Sequence, residues 1–200
     1  QPAVARRRRD GVTARPIVID CDPGVDDAIA LLLAFASPDE LEVAGVTAVA
    51  GNVGLDRTSA NALRIRDLAG RDDVPVHAGC ARPILRQLTH AEHVHGETGL
   101  DGGGLPPPRG VIADRHAVDF LIDTCAARPG AVTLCAMGPL TNLALAMVKD
   151  AGFVDNVREI VLMGGAIGAG NVTPSAEFNI HVDPHAAAVE LQVHVFRKLA

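Results

Sequence analysis

Five short runs rich in Val, Ile, Leu and Ala recur along the chain, and most of them lead into a segment with helical spacing. PIVID (16–20) precedes a helical pattern over 26–36, and EVAGVTAVAG (42–51) precedes LDRTSANALRIRDLAG (55–70). VPVHAG (74–79) runs into a long loop rich in Gly, Pro and His. AVTLCAM (131–137) precedes a short helix near 140–149, and EIVLMGG (159–165) opens a Gly-rich loop. One more helical pattern, 115–128, comes before the fourth run. Runs this continuously apolar are strands buried on both faces, as in parallel sheets covered by helices. The alternation predicts an α/β fold, a doubly wound and mostly parallel sheet with helices on both faces. The Leu/Ala-rich stretch 29–36 reads as core. No repeat or linker marks a second domain, so 16–200 reads as one domain. It follows a basic leader, 1–15, whose RRRR at 6–9 is expected to be solvated and disordered.

The polar residues fall where such a sheet binds ligands, beyond the carboxyl ends of its strands. Asp20 and Asp22 end the first run, Asn52 follows the second, Met137 ends the fourth, and Met163 ends the fifth. The loop after the fifth leads to Asn171, Glu177, Phe178 and Asn179. Around the first strand end, Asp20, Asp22, Asp26 and Asp27 crowd into eight residues. Unpaired carboxylates this close repel one another and some would take up protons. A hard divalent cation with oxygen ligands removes that repulsion. Pro23-Gly24 supplies a tight turn, and Asp26 and Asp27 stand in the first turn of a helix, where the dipole favours negative charge. Helix capping alone would account for Asp26, and acceptance of backbone N–H groups for Asp20. Capping would account for Asp27 too, but for Asp22 and Asp27 together a cation site is the stronger reading.

Composition narrows the partners. The 200 residues are 48% hydrophobic and 21% charged, with a formal net charge of −6, which does not favour a polyanion partner. Aromatics are 2%, with no Trp or Tyr, too few for a base-stacking platform. No nucleic-acid partner is therefore expected. No apolar run reaches the roughly 20 residues that span a bilayer, so no membrane role is expected either. Cys21, Cys80, Cys125 and Cys135 show no CxxC pairing and sit in apolar contexts; buried reduced thiols suggest a cytoplasmic setting.

Three competing chemistries are weaker. An aspartyl-phosphate mechanism would want a strand-end lysine, and the only lysines are Lys149 and Lys198. His90, His93 and His95 carry a zinc-like HxH spacing but no Cys or carboxylate at a matching interval; a mobile substrate-covering loop over about 80–110 suits them better, given the glycines that follow. GGAIGAGN lacks the Gly-Lys-Ser/Thr ending of a phosphate loop.

DCDPGVDDAIAL (20–31) resembles the amino-terminal signature of the inosine-uridine-preferring nucleoside hydrolase family. In the family's order follow GN (51–52), HVHGETG (93–99), GPLTNLA (138–144), VLMGGA (161–166) and GNVTPSAEFNIHVDP (170–184). The resemblance covers about 16–189. It implies a nucleoside hydrolase-like fold and a Ca2+-dependent cleavage of the N-glycosidic bond of ribonucleosides to ribose and free base. Asp22, Asp27 and the backbone oxygen of Met137 would be metal ligands. Asp22 and Asn179 would be the catalytic residues, Asp22 taking a proton from a calcium-bound water. Asp26 and Asn52 would contact ribose hydroxyls, with Asn171, Glu177 and Asn179 gripping the sugar and Met163 and Phe178 walling it. His95 would stand in a loop over the base. The implied setting is nucleoside catabolism and base salvage, with a small-molecule substrate; a homo-oligomer is left open.

The chain departs from the family at its carboxyl end. Members usually run on through a further metal-binding aspartate, often beside a histidine that protonates the leaving base, and into a strand after HVDPHAAAVE. This chain reads LQVHVFRKLA there. The domain is therefore expected to be incomplete, and the 200 residues alone to hydrolyse nucleosides poorly. The alternative is a catalytically inactive calcium- or ribose-binding protein of the same fold.

Overall fold

The computed structural model describes residues 13–199, and its strands are β1 (Arg15–Cys21), β2 (Leu41–Ala48), β3 (Val76–Ala78), β4 (Val132–Ala136) and β5 (Val157–Leu162). They pair in the order β3-β2-β1-β4-β5, every pair parallel. The order reverses between β1 and β4, and at such a switch point the loops after the two strands diverge and leave a crevice. The expected leader lies outside the described residues up to position 12. Its last residue does not belong to it: Arg15 is already in β1, opposite Leu41, with its guanidinium 3.0 Å from Glu159.

Alternation along the strands builds two cores. On one face Val18, Leu134 and Ala136 pack with helices α4 (Ala117–Ala127), α5 (Thr141–Lys149) and α8 (Pro184–Leu199), through residues including Leu121, Leu143 and Ala187. On the other, Ile17, Ile19, Cys21 and Val46 pack with α1 (Val25–Phe35) and α2 (Leu55–Leu68), through Leu31, Phe35, Leu63 and Ile65. Short turns of helix fill in at α3 (Glu92–His95), α6 (Phe153–Asn156) and α7 (Phe178–Val182). With few aromatics, Phe153 is the largest fully buried side chain among the described residues. All four cysteines are free thiols, with Cys21, Cys80 and Cys125 buried. No described helix is long and apolar enough to cross a membrane.

Two expectations need correction. β5 is not buried on both faces: it is the sheet edge, and Val161, Leu162 and Met163 are 54%, 38% and 52% exposed. Nor is the stretch 29–36 uniformly core. A helix turns about 100° per residue, so only one stripe meets the sheet; Leu31, Ala34 and Phe35 are buried while Ile29 and Leu33 are 65% and 67% exposed. The departure from the family pattern after position 190 is visible in the structure, where α8 continues as helix to Leu199.

Glu190, on the buried side of α8, is 2% exposed, and neither carboxylate oxygen has a hydrogen-bond partner among the described residues. Burial, and then the charge of Asp20, push its pKa from 4.5 up to about 7. The native carboxyl thus keeps its proton to higher pH than the unfolded chain does, so stability falls as pH rises from about 4.5 to about 7. Replacement Glu190→Gln is expected to flatten this part of the urea-midpoint-against-pH curve and to raise the midpoint at pH 8; an unchanged curve would show that Glu190 has a partner in solution.

Candidate active site

The site grows from β1. Asp20, Asp22 and the α1 carboxylates stand at its carboxyl end because the strand carries its apolar register to Cys21 and the Pro23-Gly24 turn then starts the helix. Asp20 faces inward. It accepts hydrogen bonds from Thr47 Oγ1 and from Asn142 Nδ2 (2.7 Å) and lies off the cavity described below. Burial raises its pKa to about 7. Asp20 therefore joins β1, β2 and α5, and its partners are side-chain donors rather than the backbone N–H groups expected for it.

Asp22 turns the other way and is 1% exposed. Its Oδ2 accepts the Asn52 N–H at 2.7 Å, and the Asn52 side chain donates to the Asp22 carbonyl at 2.9 Å. Two glycines make room for it: a Cβ at Gly51 would sit 2.1 Å from Oδ2, and one at Gly138 would sit 2.6 Å from Oδ1. Asp27, 4% exposed, has a buried Oδ2 with no hydrogen-bond partner among the described residues. Burial and the charge of Asp27 push Asp22 well above the carboxylate range, and burial and the charge of Asp26 push Asp27 up to about 7. Two neighbouring buried carboxyls, with the charge of Asp27 raising the proton affinity of Asp22, form a site that a cation would discharge.

The opposite wall comes from β4, β5 and α7. Met137 N–H is held by the Asp20 carbonyl at 2.7 Å and Met163 N–H by Ala136 at 2.8 Å, so both strand ends are pinned. Asn179 Nδ2 lies 2.8 Å from the Met137 carbonyl, 3.1 Å from that of Met163 and 3.3 Å from its sulfur. Glu177 caps α7, accepting the N–H groups of Asn179 (3.0 Å) and Ile180 (3.4 Å), and also that of Gly165 (3.2 Å).

These walls enclose a cavity of about 190 Å³. Asp22, Asp26, Asp27, Asn52, His95, Met137, Met163, Asn171, Glu177, Phe178 and Asn179 all line it, joined by Ala91, Val94 and Val172. Every residue singled out from the sequence as a site residue is thus at one place. Asp22, Asp27 and the Met137 carbonyl, all from residues lining the cavity, offer oxygen donors of the kind a hard cation takes. It leaves the shell short: among the described residues no group of three His, Cys, Asp or Glu side chains stands close enough together to hold a metal ion.

The loop expected to be mobile is tied down at several points. Ala91 N–H donates to the Asn52 carbonyl (2.9 Å), Ile84 N–H to Asp183 (2.9 Å), and Arg109 N–H to Asp67 (2.6 Å). Reading the sequence missed Asn142, which donates to Asp20 and to the Ala48 carbonyl (3.1 Å) and accepts the Cys80 N–H (2.8 Å). It also missed Thr141, which holds Asp183 at 2.7 Å. The signal was there: GPLTNLA places two polar residues at the first turn of an otherwise apolar helix.

Comparison with known proteins gives one direction. Residues 17–197 match the family model described as inosine-uridine preferring nucleoside hydrolase. Among curated proteins, the chain is 49% identical over 179 residues to pyrimidine-specific ribonucleoside hydrolase RihA of Salmonella arizonae, covering 90% of this chain and 57% of that one. It is 54% identical over 177 residues to an uncharacterized protein of Schizosaccharomyces pombe, covering 88% and 57%. Among solved structures, a plant nucleoside hydrolase, the PpNRh1 enzyme, superposes with a TM-score of 0.84 at 39% identity, covering 88% of this chain and 56% of that one. A purine-preferring ribonucleoside hydrolase from Gardnerella vaginalis superposes with a TM-score of 0.81 at 35% identity, covering 88% and 57%. The chain thus spans a little over half the length of these relatives.

Removing the Asn142 side chain by Asn142→Ala strips partners from three buried groups, and each buried orphan costs about 1–3 kcal/mol. A loss of about 2–4 kcal/mol in urea unfolding is expected, against about 1 kcal/mol for Thr47→Val, which leaves Asp20 its Asn142 bond. Equal, small losses in both would mean that Asp20 is not held as described.

Proposed function

The chain belongs to the inosine-uridine preferring nucleoside hydrolase family, and from that premise we propose that it carries the ribose- and calcium-binding part of an N-ribosyl hydrolase. The observation behind this reading is the convergence of eleven residues, drawn from four strand ends and the loops and helices beside them, on one cavity with two buried carboxyls against a polar, amide-lined wall. Ribose is a polyhydroxyl ligand, and such a wall is what binds it.

In this reading Asp22, Asp27 and the Met137 carbonyl would hold Ca2+. Bound there, the ion would keep both carboxyls ionised and acidify water at the site. Asp22, ionised and fixed by Asn52, takes a proton from a water aimed at the anomeric carbon. Asn52 and Asp26 orient the hydroxyls on the metal side. Asn171, Glu177 and Asn179 grip the sugar from the other wall, and their oxygens favour the positive charge that develops on the ring. Met163 and Phe178 confine the sugar between them, and His95 covers the base. The net reaction adds water across the N-glycosidic bond, hydroxyl to ribose and hydrogen to the base. The substrate class is ribonucleosides, and the role is nucleoside breakdown and base salvage.

The test is release of free base from inosine and uridine, with Ca2+ present, by the chain alone and by the chain extended with the carboxyl-terminal remainder of a relative such as RihA. Slow turnover by the chain alone and clear turnover by the extended one are expected, with Asp22→Asn lowering the rate by about 10²–10⁴-fold, the usual contribution of a general base. Turnover within twofold of wild type in Asp22→Asn would overturn the assignment. Calcium-dependent nucleoside binding with no turnover in either chain would favour the inactive binding protein instead.

A further inference from the structure

We propose that Arg57 and Asn61, one helical turn apart on α2, are positioning residues that latch the His95 segment over the cavity. Asn61 is fully buried, and its amide nitrogen donates to two carbonyls from distant parts of the chain, Thr98 at 2.8 Å and Pro23 at 3.2 Å. Pro23 belongs to the turn between Asp22 and α1. Thr98 follows α3, which carries His95. One side chain thus ties the carboxylate turn to the segment that roofs the cavity. Arg57, on the same face of the helix, donates to the adjoining Glu97 carbonyl and lies 3.7 Å from the Glu92 carboxylate at the start of α3.

The segment is shaped to be held this way. Gly96 and Gly99 have φ of +80° and +82°, a region that favours glycine. The Asp101 carboxylate accepts the Glu97 N–H (2.9 Å) and the Thr98 N–H (3.3 Å), closing a compact loop that aims both carbonyls at α2. On the cavity side the His95 ring rests against Gly24, where an added Cβ would lie 2.7 Å from Nδ1. The ring has little room to shift toward the carboxylate turn, so the latch sets how closely the roof sits over a ligand. Neither residue lines the cavity, so both act through the segment they hold.

If the cavity binds nucleosides, as proposed above, loosening the latch weakens binding on the base side without touching Asp22, Asp27 or Asn179. The experiment is hydrogen exchange of the full chain for wild type, Asn61→Ala and Arg57→Met, alongside uridine affinity by titration. Amides of residues 94–101 are expected to exchange about five- to tenfold faster in Asn61→Ala, the factor that one intramolecular hydrogen bond sets, and about threefold faster in Arg57→Met, with β1 and β4 unchanged. Arg57 is half-exposed, so its variant folds and decides the matter if Asn61→Ala does not. Uridine affinity is expected to fall in step with exchange. Unchanged exchange over 94–101 in a folded variant overturns the latch, as does faster exchange with unchanged uridine affinity. If wild type binds no nucleoside, the functional reading fails, and the exchange measurement alone decides whether the latch exists.

Discussion

Two carboxyl groups buried side by side at the end of one strand are the constraint on which the rest of this structure depends. Asp22 and Asp27 are both less than 5% exposed; burial raises the cost of ionising each, and the charge of Asp27 raises it further for Asp22. Holding Asp22 in place takes a glycine on either side, Gly51 and Gly138, and a backbone N–H from Asn52. Those residues follow β2 and β4, so the strand order that sets β1 between β2 and β4 is also what surrounds Asp22 with its support. The neighbouring Asp20 turns the other way and, through Thr47 and Asn142, clamps β2 and α5 to the same strand. Site and scaffold share one short stretch of chain.

Much of this was legible from the residues. Alternating apolar runs and helical patterns imply a parallel sheet whose polar strand ends share one edge, and all eleven residues named from the sequence meet at one cavity. What escaped notice was of two kinds. Asn142, on the apolar α5, and Asn61, among the many polar residues of α2, read as incidental polar positions, because their partners, Asp20, Thr98 and Pro23, lie 37 or more residues away. Hydrogen bonds across such separations leave no periodic trace. Burial at the rim was misjudged for a different reason. An apolar run such as EIVLMGG shows that a strand is apolar, not what stands beside it, and β5 proved to be an edge with Val161 and Met163 exposed.

The relatives bear on the same point. They include a pyrimidine-specific hydrolase and a purine-preferring one, at similar coverage of this chain. The carboxylate turn and the amide wall of Asn171, Glu177 and Asn179 face the sugar in the proposed reading, and ribose is common to both substrate types. Discrimination between bases would then fall to the roof, where α2 holds the His95 segment. In that reading, ribose recognition and base recognition would be carried by different elements joined at Pro23.

The most direct test of the central claim is calorimetric titration of the chain with Ca2+ near pH 6.5, repeated in buffers of different ionisation enthalpy. If Asp22 and Asp27 are buried partners that hold protons until a cation replaces them, binding must release protons, and Asp22→Asn must abolish both the binding and the release. Calcium binding with no proton release, or binding that survives Asp22→Asn unchanged, would contradict the account.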